Sequence, residues 1–129
     1  MAGRGFAPRN PDAEIEVAAD GKVRGPELPE SYDWPTQTRT WWENWRTSAQ
    51  ATRMKPTDWD FMLDTAMLHA ELWSGNGAVA AELRLRVAKF GATLEDRARL
   101  KMAIVEPEAK PKAKPTQRKN LRVVDAQAS

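Results

Sequence analysis

Four of the chain's six tryptophans fall within thirteen residues, WPTQTRTWWENWR at 34–46. Indole is large and mostly apolar, so a packed Trp removes on the order of 200 Å² from water. Trp34 stands at the entry to a helix opened by Pro35. Trp41, Trp42 and Trp45 follow at spacings of three, four and seven that bring them round to a shared side. Two uses fit such a cluster: a packed core or subunit interface, or a stacking platform for single-stranded nucleic acid. Only Arg39 and Arg46 lie close by, offset by Glu43, so the expectation is packing.

Length and composition narrow the setting. At 129 residues with 41% hydrophobic content the chain holds one domain at most. It has no cysteine, which leaves no disulfide, thiolate metal site or thiol nucleophile and suits a reducing compartment. No apolar run reaches the length of a signal peptide or a membrane span. The net charge of +2 conceals an asymmetry: four basic residues stand against seven acidic ones in 1–33, whereas six stand against three in both 75–104 and 105–129. A basic C-terminal half makes a polyanion a plausible partner.

The composition shifts twice. Residues 1–33, rich in Gly, Pro and acidic side chains, read as an extended arm. Residues 34–105 read as a helical oligomerisation domain. Residues 106–129 contain EPEAKPKAKPTQRKN, a flexible basic tail, with a short apolar island, LRVV, at 121–124. Four helices are expected in the middle. The first begins at Pro35. The second opens with a T-x-x-D cap, Thr57 to Asp60, and runs to about Trp73, where Ser74 and Gly75 stop it. The third starts near Asn76 or Gly77 and ends at Gly91, a left-handed cap. The fourth opens with a second T-x-x-D, Thr93 to Asp96, and ends before Pro107. The fold class expected is all-α: a compact four-helix domain between two flexible tails, with no strand.

On a wheel of about 100° per residue, the second helix carries Trp59, Met62, Leu63, Ala66, Met67, Ala70 and Trp73 on one broad apolar face. Phe61, Leu68 and Leu72 form a second stripe beyond the polar edge of Asp60, Asp64 and Glu71. Two apolar faces call for two partners, and the second is expected to be another subunit. Phe61, Leu68, Leu72, Trp41 and Trp45 are therefore the candidate oligomer interface. The third helix puts Val79, Leu83, Val87 and Phe90 on a core stripe, with Arg84 and Lys89 off it and Arg86 at its border.

Catalytic chemistry finds no support. The single histidine, His69, lies between the two apolar stripes with no ligand set beside it, so it is read as a packed side chain and no metal is expected. Asp60 and Asp64 share a face but lack a nucleophile or a second carboxylate pair. GNG at 75–77 is too short for a phosphate loop. Neither a cofactor nor an activity is expected.

The most specific stretch is GATLEDRARLKM at 91–102. Gly91, Thr93, Arg97, Arg99 and Leu100 match a G-x-T-x-x-x-R-x-R-L pattern. With GRGFAPRNPDAEIEV, RGPELPESYDWP, WWENWRTSAQA and DTAMLHAELWSG, the chain resembles the small subunits of tailed-bacteriophage terminases, of the actinobacterial-phage type. Leu94 stands where such proteins often have Pro. The resemblance implies a non-catalytic protein in the cytoplasm of the infected bacterial host. Such a protein forms a ring-like homo-oligomer larger than a dimer, recognises double-stranded viral DNA where packaging starts, and hands it to the large subunit, the ATPase and nuclease. The candidate DNA contacts are Arg4, Arg9, Arg84, Arg86, Arg97, Arg99, Lys110, Lys112, Lys114, Arg118 and Lys119. Arg97 and Arg99 have a second role open to them, bridging subunits through carboxylates such as Glu95 or Asp96. Two other classes fit the same residues: a dimeric helix-turn-helix transcription regulator built on the second and third helices, and a structural adaptor whose basic tail binds an acidic protein.

Overall fold

The computed structural model describes residues 14–106. It contains four helices, α1 (Thr36–Arg46), α2 (Pro56–Trp73), α3 (Ala80–Ala88) and α4 (Leu94–Arg99), with 3-10 turns at Gln50–Arg53 and Gly77–Val79. It also contains two strands, β1 (Ile15–Ala18) and β2 (Met102–Val105), paired in parallel with Ile15 opposite Met102 and Ala18 opposite Val105.

The strands correct the all-α expectation. Each is four residues long, too short to stand out as alternation in a sequence window. A parallel pair needs a long crossover, and here the whole helical body supplies it. Lys101, at φ 57, sets the register, since its carbonyl accepts from both Glu14 N at 2.9 Å and Ile15 N at 3.1 Å. Val17 is buried beneath the helices. The fourth helix is shortened accordingly, ending at Arg99 rather than running on toward Pro107, and the third begins at Ala80 after a 3-10 turn.

The core is built of indole. Trp34, Trp42, Trp45 and Trp59 are buried with Ala51, Met62, Ala66 and Ala70. Trp42 meets Trp59 edge to face at 5.6 Å, and Trp45 meets Phe90 at 6.2 Å. Burying indole leaves an N–H to satisfy, and the segment before α1 supplies the acceptors. Trp42 Nε1 donates to the Pro26 carbonyl and Trp34 Nε1 to the Pro29 carbonyl, each at 2.8 Å. Arg46 adds Nε to Arg24 O at 2.9 Å and Nη2 to Gly25 O at 3.0 Å. From residue 14 the chain forms β1, then bends at Gly21 and Gly25 and turns at 30–32, and residues 24–34 lie against the helices. Prolines here present carbonyls without an N–H that would need its own partner.

Local signals place the helix ends. Pro56 opens α2, and the backbone N–H of Lys55 donates to the Asp58 carboxylate at 2.8 Å. The cap therefore sits two residues ahead of the expected Thr57, because Pro fits best at the first helical position. At α4 the expected cap forms: Asp96 N donates to Thr93 Oγ1 at 3.1 Å and Thr93 N to Asp96 Oδ2 at 3.2 Å. Gly91 takes φ 76 between α3 and α4, and Gly75 φ 109 after α2.

Candidate functional site

The glycine-to-arginine motif forms a corner held from three directions. The Gly91 carbonyl accepts from Arg97 Nη1 and from the buried Gln50 Nε2, both at 2.8 Å. A side chain at position 91 would bring its Cβ to 3.0 Å from both Arg97 Cγ and Met102 Sδ, so glycine is needed for space as well as for φ. Arg99 Nη2 pairs with Asp96 Oδ1 at 3.1 Å. The hydrogen bonds to Thr93, aided by Arg99, hold the Asp96 carboxyl below the usual carboxylate range. Both arginines of the motif are therefore engaged within the protomer.

The other two described arginine candidates differ. Arg86 Nε pairs with Glu82 Oε2 at 2.9 Å, and its guanidinium lies 5.1 Å from the centre of the Phe61 ring. Arg84 is exposed, with no ion-pair or hydrogen-bond partner for its side chain among the described residues. Arg4, Arg9, Lys110, Lys112, Lys114, Arg118 and Lys119, with the LRVV island, lie outside the described residues. The described chain enters at β1 and leaves at β2, so the N-terminal and C-terminal basic segments attach to one two-stranded sheet.

The candidate interface residues also separate. Trp45 is buried against Phe90, and Phe61 lies between Phe90, at 5.9 Å, and Arg86. Phe61 thus faces α3, which packs on α2, and Leu68 and Leu72 are half-buried. Trp41, also half-buried, stacks on His69 at 4.4 Å between ring centres, and Trp73 lies near-parallel to the same imidazole at 6.3 Å. The apolar side chains left open to solvent are others: Met67 at 40%, Trp73 at 56%, Leu85 at 60% and Leu94 at 81%. Met67 sits at the edge of the broad α2 face, and Trp73 is the last residue of the helix. Leu85 was legible as an apolar residue lying off the α3 core stripe.

His69 Nδ1 and Thr38 Oγ1 are 2.8 Å apart in the interior, and burial pushes the imidazole down to about 4. That makes it a neutral packed ring. Among the described residues no three His, Asp or Glu side chains gather as metal ligands, and no helix is long and apolar enough to cross a membrane. A cleft of about 230 Å³ opens between the sheet and the helices, floored by Ile15, Val17, Phe90 and Met102 with Arg53 and Lys89 in its wall. The α2–turn–α3 pair has the order of a helix-turn-helix unit, but the first turn of α3 offers Ala80, Ala81, Glu82 and Leu83. Glu82, an acceptor, is taken by Arg86, and the other three side chains are apolar, which leaves none free to hydrogen-bond base edges there.

The sequence profile described as phage terminase small subunit matches residues 4–128. Searches of curated proteins and of solved structures found no match.

Proposed function

The chain belongs to the phage terminase small subunit family, and from that premise we propose that it is a non-catalytic component of the DNA-packaging machinery. In this reading it assembles into a homo-oligomer larger than a dimer in the cytoplasm of the infected host, binds double-stranded viral DNA where packaging begins, and presents it to the large subunit. The observation that carries the reading is the family match across nearly the whole chain. The excess of exposed apolar helix surface, Met67, Trp73, Leu85 and Leu94, supports assembly.

For DNA contact the reading favours the segments outside the helices. Three of the four described arginine candidates, Arg86, Arg97 and Arg99, already bind groups of their own protomer. The basic residues Lys110, Lys112, Lys114, Arg118 and Lys119, with Arg4 and Arg9, belong to the two segments that attach to the β1–β2 sheet. Arg4 and Arg9 sit among seven acidic residues of 1–33, so the C-terminal segment carries the larger share. The test is a titration of duplex DNA at several salt concentrations. Replacing the five C-terminal basic residues with neutral ones should make the log–log slope shallower by about 0.9 for every phosphate they bind. An unchanged slope would remove that segment from the DNA site and leave it as a tether, with LRVV as the docking point for the large subunit.

A further inference from the structure

A ring of more than two copies needs a head-to-tail contact between two different surfaces, whereas a two-fold dimer uses one surface twice. The described body carries two such surfaces on different helices, opposite in charge and each with an exposed apolar centre. On α2, Asp60, Asp64, Met67 and Glu71 are spaced by four, three and four residues, so they form one stripe along the helix. All four are exposed, Met67 at 40%. Glu71 accepts a hydrogen bond from Asn76 Nδ2 at 3.0 Å. No cation pairs with any of the three carboxylates among the described residues.

On α3 the outward face is centred on Leu85, 60% exposed, with the small Ala81 and Ala88 a turn away on either side. The exposed Arg84 flanks it, and the exposed Lys89, one residue past the end of α3, stands between this face and the cleft beside the sheet; neither pairs with a carboxylate among the described residues. Four other arginines do pair with a carboxylate, whereas the exposed Arg39 and Arg53, like Arg84, do not among the described residues. Arg24, Arg46, Arg86 and Arg99 each pair with an acidic residue three or four positions away. The two faces hold unmatched charge of opposite sign.

Resting on the reading of the chain as a ring-forming subunit, we propose that the outer face of α3 in one protomer docks on the acidic stripe of α2 in the next, Leu85 against Met67 with Arg84 and Lys89 set among Asp60, Asp64 and Glu71. The occupant of each face is a second copy of this chain, selected by charge. Pairing α2 with α2, or α3 with α3, would set like charges opposite one another, which disfavours the closed two-fold dimer and favours continued head-to-tail addition. Arg84, the one described arginine candidate for DNA that has no partner among the described residues of its own protomer, is thereby assigned to the subunit contact.

The test is the light-scattering mass of the full-length protein, whose protomer is 14.5 kDa. Arg84→Glu with Lys89→Glu should fall to a smaller species, as should Asp64→Lys with Glu71→Lys. Each interface should weaken on the order of tenfold or more once attraction becomes repulsion. The fourfold variant, which exchanges the signs of both faces, should recover the wild-type mass. Far-UV circular dichroism checks the fold. If a reversal lowers the helical signal, Arg84→Gln with Lys89→Gln and the wild type at about 1 M salt, where charges are screened beyond about 3 Å, replace it and should both show reduced mass. A wild type larger than a dimer whose mass survives every one of these changes overturns the assignment while leaving the ring reading intact. So does a folded fourfold variant that fails to reassemble, or an α3 variant that keeps its mass and loses only DNA affinity. A monomeric or dimeric wild type sinks the ring reading itself and this inference with it.

Discussion

Gly25→Ala tests whether the segment before α1 is part of the folded body. Gly25 has φ 76, and a Cβ built there would lie 2.7 Å from the Trp59 ring, itself buried at 6% exposure. The left-handed backbone costs an alanine roughly 1–2 kcal/mol. Forcing carbon into a packed indole adds about 1–3 kcal/mol of overpacking, and it also strains the adjoining bonds from Arg46 to the Arg24 and Gly25 carbonyls. The sum, roughly 2–5 kcal/mol, corresponds to a fall in Tm on the order of 10 °C or more for a domain of this size. Gly21→Ala is the control, because Gly21 shares the conformation, φ 79, with nothing within 4 Å of the added carbon. It should show only the backbone cost, and both variants gain the same small offset from a stiffer unfolded chain. Thermal melts followed by circular dichroism, with Trp fluorescence reporting on the core, should separate the two by about 1–3 kcal/mol. Equal destabilisation would mean that residues 24–26 do not sit on Trp59.

His69, 7% exposed and pushed down to about 4 from 6.5 by burial, is neutral in the folded chain where the unfolded chain would take up a proton. Its contribution is therefore complete above about pH 6.5 and is lost as pH falls toward 4, by about 3 kcal/mol across that window. His69→Phe, which keeps an aromatic ring against Trp41, should remove this slope in chemical denaturation at several pH values, and an unchanged slope would contradict the burial. Thr93→Ala should cost about 0.5–2 kcal/mol through loss of the α4 cap, read as a lower urea midpoint at constant m-value; no shift would mean the capping hydrogen bonds contribute nothing. Removing residues 107–129 should leave the far-UV signal per folded residue and the oligomeric mass as they were, because β2 ends at Val105. A loss of either would show that the body extends past that strand.

What the sequence made legible follows from the range of each signal. Pro35, Gly75 and the Thr93–Asp96 box act within a turn of themselves, and each placed a helix end correctly, whereas α3 stops at Ala88, three residues before the expected Gly91, which takes its left-handed φ in the turn that follows. The burial of Trp59 on the apolar face of α2 followed from helical spacing, whereas Trp45, expected at a subunit interface, packs on Phe90 of its own protomer. The seating of the 24–34 segment was not legible: its contacts run from backbone carbonyls of Pro26 and Pro29 to indole N–H groups 16 and five residues away, and a carbonyl carries no sequence signature. The β1–β2 pair was hidden for a related reason, since a four-residue strand is defined by a partner more than eighty positions away. On the functional side, arginine is equally suited to phosphate, carboxylate and carbonyl, so its type alone could not separate Arg97, bound to Gly91 O, from Arg84, which has no partner in its protomer among the described residues. Phe61 was expected at a subunit interface, but Phe90 and Arg86 of its own protomer lie against it, 29 and 25 positions away, beyond the range of a helical-wheel argument.

The central claim is that this chain recognises viral DNA at the start of packaging, and the most direct measurement is a competition between two labelled duplexes of equal length. One carries the phage's packaging-start region and the other the same composition in scrambled order, each titrated with full-length protein from about 50 to 200 mM salt. The account predicts binding to both at low salt, weakening steeply as salt rises, with the packaging-start duplex retained to higher salt than the scrambled one. No binding to either duplex at about 50 mM salt, with the protein folded, would contradict it.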